Sequence, residues 1–162
     1  MKQMPALPNA ELLALLKKTL ARGAPFRFTA TGSSMIPFVR DGDEITVSPL
    51  GGAAPRIGDV VALRRRGAGG LLVHRIVAVR IGSFLTRGDN SSADDGEILP
   101  SEVLGRVTGI SRGGLPLRLG LGPERRLIAA FSRVGALGTL LSPLARLHRL
   151  FGYGSGRKRA QQ

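Results

Sequence analysis

The chain has 162 residues, enough for one domain with its own hydrophobic core and short for two. It contains no cysteine, which excludes disulfides, thiolate nucleophiles, thiolate zinc sites and iron–sulfur clusters, so any side-chain nucleophile must be a hydroxyl. The net charge of +13 sits mostly at the end of the chain: residues 116–162 hold 9 Lys and Arg against 1 acidic residue, and residues 1–115 hold 15 against 10.

In chain order, the first predicted element is a helix over residues 9–22. Asn9 is placed to cap it, Glu11 suits its first turn, Lys17, Lys18 and Arg22 suit its last, and Gly23 can close it. Leucines at 12, 13, 15, 16 and 20 give it an apolar face, to be packed either on the protein body or on a lipid surface. From Pro25 to about Ser111 the texture changes to short β-branched and aromatic runs broken by Gly, Asp, Asn and Pro. Strands are predicted at 26–31, 44–48, 59–65, 71–79, 84–87 and 104–110, with glycine-rich linkers at 51–55 and 67–70. After Pro116 helical spacing returns, with Leu127, Ile128, Phe131, Val134 and Leu141 on one side and Arg125, Arg126 and Arg133 opposite. A second tail helix is predicted from Ser142-Pro143 to Gly152, and a disordered basic end over 154–162.

No run of about 18 apolar residues is present, which is what a membrane-crossing helix needs, and no cleavable secretion signal is visible. The expected location is the cytoplasm or a membrane surface. His74 and His148 are the only histidines and neither belongs to a set with ligand spacing, so no metal or other cofactor is expected. With 4% aromatic residues and no Trp there is little surface on which bases could stack, so nucleic acid is an unfavoured partner despite the charge.

Three segments carry candidate chemistry: Gly32-Ser33-Ser34-Met35-Ile36-Pro37, then Val73-His74-Arg75, then Thr86-Arg87-Gly88-Asp89-Asn90 with Asp94-Asp95-Gly96. A serine hydroxyl needs a neighbouring base to become a nucleophile near neutral pH. All four lysines, at 2, 17, 18 and 158, lie outside the predicted β-body, which leaves His74 as the one well-placed base. An imidazole in that role needs a carboxylate to fix its tautomer, and Asp89, Asp94 and Asp95 are the candidates. Arg75 and the run 64–66 are read as solvated strand charges.

These motifs, in this order, resemble the type I signal peptidases, in the endoplasmic-reticulum and archaeal branch that uses histidine where the main bacterial branch uses lysine. Segment 32–37 is similar to the nucleophile signature, 56–61 to the Gly-Asp strand, His74-Arg75-Ile76 to the histidine motif, 84–90 with Asp94-Asp95 to the aspartate box, and 103–109 to the closing strand. The resemblance covers about residues 25–110. It implies a mainly β, signal-peptidase/SOS-repressor-like antiparallel fold with an N-terminal amphipathic helix (1–24), a catalytic domain (25–115) and a basic helical tail (116–162).

The resemblance further implies a serine endopeptidase that cleaves a leader or signal peptide after small residues. Ser34 would be nucleophile, His74 general base and Asp95 its orienting partner, with Asp89 matching the family's earlier aspartate and holding the loop. Ser33 and Met35, on either side of Ser34, are the candidate oxyanion or substrate-binding positions, and the extended peptide would lie between the segment before Ser34 and the strand carrying His74. Relatives carry a transmembrane anchor shortly before the serine motif, where this sequence has the amphipathic stretch 9–22. The basic tail over 123–162 could compensate by lying on an anionic membrane; otherwise Leu127 and Phe131 pack on the β-body and the arginines face water. The alternative function is a degenerate, non-catalytic member acting as a peptide-binding or membrane-associated accessory protein.

Overall fold

The computed structural model describes residues 9–64 and 70–133. Expectations that fall on 65–69 and 134–162, including the second tail helix and the disordered end, lie outside the described residues.

The fold is mainly β, with eight antiparallel strands and two α-helices among the described residues. In chain order the elements are α1 (Asn9–Ala21), β1 (Phe26–Thr29), β2 (Glu44–Ser48), β3 (Val60–Arg64), β4 (Leu71–Arg80), β5 (Ser83–Arg87), β6 (Asp94–Ile98), β7 (Val103–Arg112), β8 (Leu115–Leu117) and α2 (Arg125–Arg133). The strands lie in the order β1-β2-β7-β3-β4-β5-β6, with β8 paired to β7 beyond the point where β7 leaves β3. Six of the eight follow the alternation seen in the sequence. The two additional strands, β6 and β8, are short and poor in β-branched residues, and β8 runs across the expected boundary at 115/116.

Successive residues of a strand face opposite sides of a sheet. On β3, Val60 and Ala62 join a core with Leu16, Met35, Ile45, Val47 and Ile110, whereas Val61 and Leu63 join a second with Ile76, Phe84, Ile98 and Val103. This central strand is therefore covered on both faces, which explains its unbroken run of apolar residues. Helix α1 packs on the first core through Leu16 and Leu20 with Leu12 and Leu13 beside them, so its apolar face belongs to the protein body. Each fully buried leucine contributes about 2 kcal/mol by burial. The side-chain oxygen of Asn9 accepts a hydrogen bond from the Leu71 N–H at 2.8 Å and ties the start of the helix to β4.

Helix α2 departs from the hydrophobic pattern. Its buried residues are Ile128, Ala129 and Ser132, while Leu127 and Phe131 are 65% and 46% exposed. Of the two placements left open for Leu127 and Phe131, packing on the β-body is the one the structure does not show: the helix is turned so that a polar residue, Ser132, faces inward with Ile128 and Ala129. Two polar contacts are made on the packed side. Arg125 approaches buried Asp59 at 3.5 Å, and Ser132 Oγ donates to Asp89 Oδ1 at 3.2 Å. At the first contact Gly58 (φ +92°) lies so close that a Cβ there would meet the Arg125 backbone at 2.8 Å. The turn leading into α2 is held by Glu124, whose carboxylate accepts the Gly120 and Gly122 N–H groups. Backbone N–H groups, its own first and then that of Gly120, hold the Glu124 carboxyl below its ordinary range.

Candidate active site

The segment between β1 and β2 carries Ser34. It is closed at its base by the Ala30 N–H to Asp43 carbonyl bond (2.7 Å) and the Gly42 N–H to Ala30 carbonyl bond (3.0 Å). Its middle is pinned by Met35 and Val39, both 4% exposed and both in the first core. The Met35 side chain is therefore an anchor in the first core beneath the nucleophile candidate. Ser33 is exposed, and its carbonyl accepts the Asn90 side-chain amide at 3.3 Å.

His74 lies in β4, paired with Val61 of β3, and is 5% exposed. Its Nε2 is 3.0 Å from Ser34 Oγ, and its Nδ1 is 2.7 Å from Asp95 Oδ2. An ionised carboxylate only accepts, so Nδ1 carries the proton and Nε2 offers its lone pair to the Ser34 hydroxyl. Asp95 is held in turn by Thr86 of β5, whose Oγ1 donates to the same Oδ2 at 2.7 Å. Asp95 stands in β6 rather than in a loop, so two strands fix its position relative to the imidazole. Asp94 is exposed and its Oδ1 accepts the Gly96 N–H at 3.2 Å, a local turn contact.

Asp89 makes a different set of bonds. Its two oxygens accept Arg75 Nε at 2.8 Å and the terminal Arg75 nitrogen at 2.7 Å, with both side chains fully buried. Arg75 gives its remaining terminal nitrogen to the carbonyls of Gly58 (2.9 Å) and Gly120 (2.8 Å), and its guanidinium lies 5.4 Å from the Phe38 ring centroid. Arg75 was read as a solvated strand charge; it is instead the largest fully buried side chain among the described residues, neutralised by a bidentate partner. Arg64 is exposed, in keeping with that reading for its own position.

The loop from Gly88 to Ser92 connects these two groups. The Asn90 N–H donates to the Ser34 carbonyl at 2.7 Å, and Arg87 holds the carbonyls of Ser91 and Ser92. Gly88 is pressed against the site: a Cβ there would meet the Ser34 carbonyl at 2.6 Å and His74 Nε2 at 2.9 Å, and would also collide with Ser91 Oγ. One edge nearby is open. In the part of β4 that pairs with β3, Leu72, His74 and Ile76 direct their backbone groups toward β3, as the Ile76 N–H does to the Asp59 carbonyl, so Leu71, Val73 and Arg75 point theirs the other way. Leu71 is taken by Asn9 and Arg75 pairs with Arg87, which leaves Val73 without a strand partner on that side among the described residues.

No cluster of three or more His, Asp or Glu side chains suited to a metal ion occurs among the described residues. Nor is any helix among them long and apolar enough to cross a membrane. No protein-family model matches the chain, and no curated protein matches it.

Sequence reasoning singled out Ser34, His74, Asp89 and Asp95, and all four lie within this one cluster. It missed Thr86, Asn90, Arg75 and Ser132. Thr86 stood in a predicted strand directly before the aspartate segment, where a buried hydroxyl facing a carboxylate has no periodic signature. Ser132 carried no local signal at all, because its partner Asp89 is 43 residues away.

Proposed function

We propose that the chain is a serine endopeptidase of the signal-peptidase I type, with a fold of that class, cleaving a leader or signal peptide after small residues. The observation that carries it is the unbroken contact from Ser34 Oγ to His74 Nε2 at 3.0 Å and from His74 Nδ1 to Asp95 at 2.7 Å. In this reading Ser34 Oγ bonds to the scissile carbonyl carbon while its proton passes to His74 Nε2. The carbonyl electron pair moves onto oxygen, where the Ser34 N–H would stabilise it. Collapse of that intermediate breaks the C–N bond as His74 returns the proton to the leaving amine. Water, deprotonated by the same nitrogen, then adds to the acyl carbon, and the C–O bond to Ser34 breaks as His74 Nε2 passes that proton to Ser34 Oγ, freeing the carboxylic acid. Asp95 stays ionised and stabilises the imidazolium through Nδ1–H.

The substrate would enter as an extended strand beside Val73, with the segment before Ser34 on its other side. Attachment to an anionic membrane would use the outer face of α2, where exposed Leu127 and Phe131 are flanked by exposed Arg126 and Arg133.

Incubating the purified chain and its Ser34→Ala variant with peptides bearing small residues at the first and third positions before the cut tests the assignment. Cleavage by the first alone is the expected result. Identical profiles would move the protein to a peptide-binding accessory role that keeps the site and does no chemistry.

A further inference from the structure

The segment 118–133 lies outside the three motif regions, yet it makes three hydrogen bonds to their residues, with Arg75, Arg87 and Asp89. Arg75 is fixed by four acceptor contacts: two from Asp89, one from the Gly58 carbonyl and one from the Gly120 carbonyl. Asp89 has a third donor besides the two Arg75 nitrogens, the Ser132 hydroxyl at 3.2 Å, on a side chain that is only 2% exposed. A buried serine turned inward on a helix, while Leu127 and Phe131 of the same helix face outward, is placed there for its hydrogen bond rather than for apolar packing.

Asp89 sits between the two residues that touch the Ser34–His74 pair. Gly88 before it packs against His74 Nε2 and the Ser34 carbonyl, and Asn90 after it donates its backbone N–H to that carbonyl and its side-chain amide to the Ser33 carbonyl. A displacement of Asp89 therefore moves both neighbours, and with them the serine relative to the imidazole. The helix is also fastened at its opposite end by Arg125 on Asp59, and the Arg133 carbonyl accepts from Arg87 at 3.4 Å, so α2 is held along its described length against the strands that bear the site.

We infer that the 118–133 segment is a brace for the active-site loop and that Ser132 is a positioning residue for the Ser34–His74 pair. Ser132 touches neither substrate nor reacting atoms and acts through Asp89. Its loss changes the geometry of the pair with the helix still docked, because Ile128 and Ala129 stay buried and α2 keeps its contact with β4. The inference extends the peptidase reading, and one arm of its test is independent of that reading.

The test compares Ser132→Ala with Ile128→Val in the full chain. Ile128→Val removes a methyl group from the same buried face and leaves the hydroxyl in place, so it measures loosened docking alone. His74 is one of only two histidines, which makes its ring signals assignable in an NMR spectrum against a His148→Gln reference. Ser132→Ala is expected to shift the His74 ring resonances at fixed pH and to lower kcat for peptide cleavage about three- to tenfold with KM unchanged. Ile128→Val is expected to lower the melting temperature by a few degrees and to alter neither the ring signals nor kcat. Ring resonances that stay in place in Ser132→Ala, or that shift equally in both variants, overturn the brace. Should the unmodified chain cleave no peptide, the peptidase reading fails and the ring signals alone decide the positioning role.

Discussion

Replacing each of the two aspartates by asparagine should separate two roles that one loop performs. In Asp89→Asn the amide must turn one N–H donor toward Arg75, where Nε and a terminal nitrogen now meet two acceptor oxygens at 2.8 and 2.7 Å. A donor then faces a donor, and a guanidinium with 0% side-chain exposure loses its counter-charge. Removing one partner of a buried pair of this kind costs about 3–5 kcal/mol. At about 2–4 °C per kcal/mol for a chain of this size, the melting temperature should fall by about 6–20 °C. Asp95→Asn is different, because its side chain is 19% exposed and His74 carries no permanent charge that must be matched. Its melting temperature should change by no more than about 4 °C, the equivalent of one lost hydrogen bond. Peptide cleavage, however, should drop by about 10⁴-fold, since an asparagine can leave the imidazole with its proton on the nitrogen that faces Ser34. Differential scanning calorimetry and a peptide-cleavage assay on both variants read the two effects. A melting temperature for Asp89→Asn within 2 °C of the unmodified chain (roughly the effect of half a kcal/mol) would refute the claim that Arg75 is desolvated and dependent on Asp89.

Three further outcomes are expected. Gly88→Ala places a methyl group where the Ser34 carbonyl and His74 Nε2 already stand, at 2.6 and 2.9 Å from the new carbon. It should reduce cleavage at least about tenfold, and full activity in that variant would show that the loop does not press on the pair. Asp43 accepts from Arg112 Nε and from one terminal Arg112 nitrogen, each at 2.7 Å, and from the Arg40 N–H at 2.8 Å, and the Arg112 bond holds its carboxyl below the usual 3.8. A lowered folded value means the unfolded chain takes up the proton first, so this stabilisation is complete above about pH 5 and is lost as the pH falls through the folded value. Urea unfolding between pH 6 and pH 3 should show a steeper acid-side loss in the unmodified chain than in Asp43→Asn, and equal slopes would refute it. Leu127→Glu with Phe131→Glu should reduce flotation with anionic liposomes without changing the melting temperature by more than about 2 °C, both positions being exposed; undiminished flotation removes the outer face of α2 as the contact.

The parts of the fold that were legible in the sequence are those whose cause is local. Helix α1 follows from leucine spacing and from charges matched to its ends, and β2, β3 and β4 follow from runs of β-branched residues bounded by Gly, Asp and Pro. Strand β6 was not legible, because Asp94-Asp95-Gly96-Glu97-Ile98 has the composition of a turn and becomes a strand by pairing with β5. Arg75 was misread for a related reason. A charge in a strand looks solvated until its partner is known, and Asp89 arrives 14 residues later across a hairpin. The orientation of α2 was left open between a membrane and the β-body because hydrophobic periodicity reports only the most apolar face, and the polar contacts on its packed side, Arg125 with Asp59 and Ser132 with Asp89, have no periodic signature.

Adjacent residues of a strand point to opposite faces, so His74 and Arg75 cannot share a carboxylate. The connection from β5 to β6 meets this constraint by carrying one aspartate to each side: Asp89 near its start reaches Arg75, and Asp95 beyond its end reaches His74. The two environments suit the two cations. A guanidinium is permanently charged and can compensate a dry carboxylate, whereas an imidazole carries no permanent charge and offers less of that compensation. Asp95 accordingly keeps a share of its surface in water, and takes the Thr86 hydroxyl as a second donor. The same division keeps two roles apart: the carboxylate that fastens the loop to Arg75 and the carboxylate that orients the His74 ring reach opposite faces of β4.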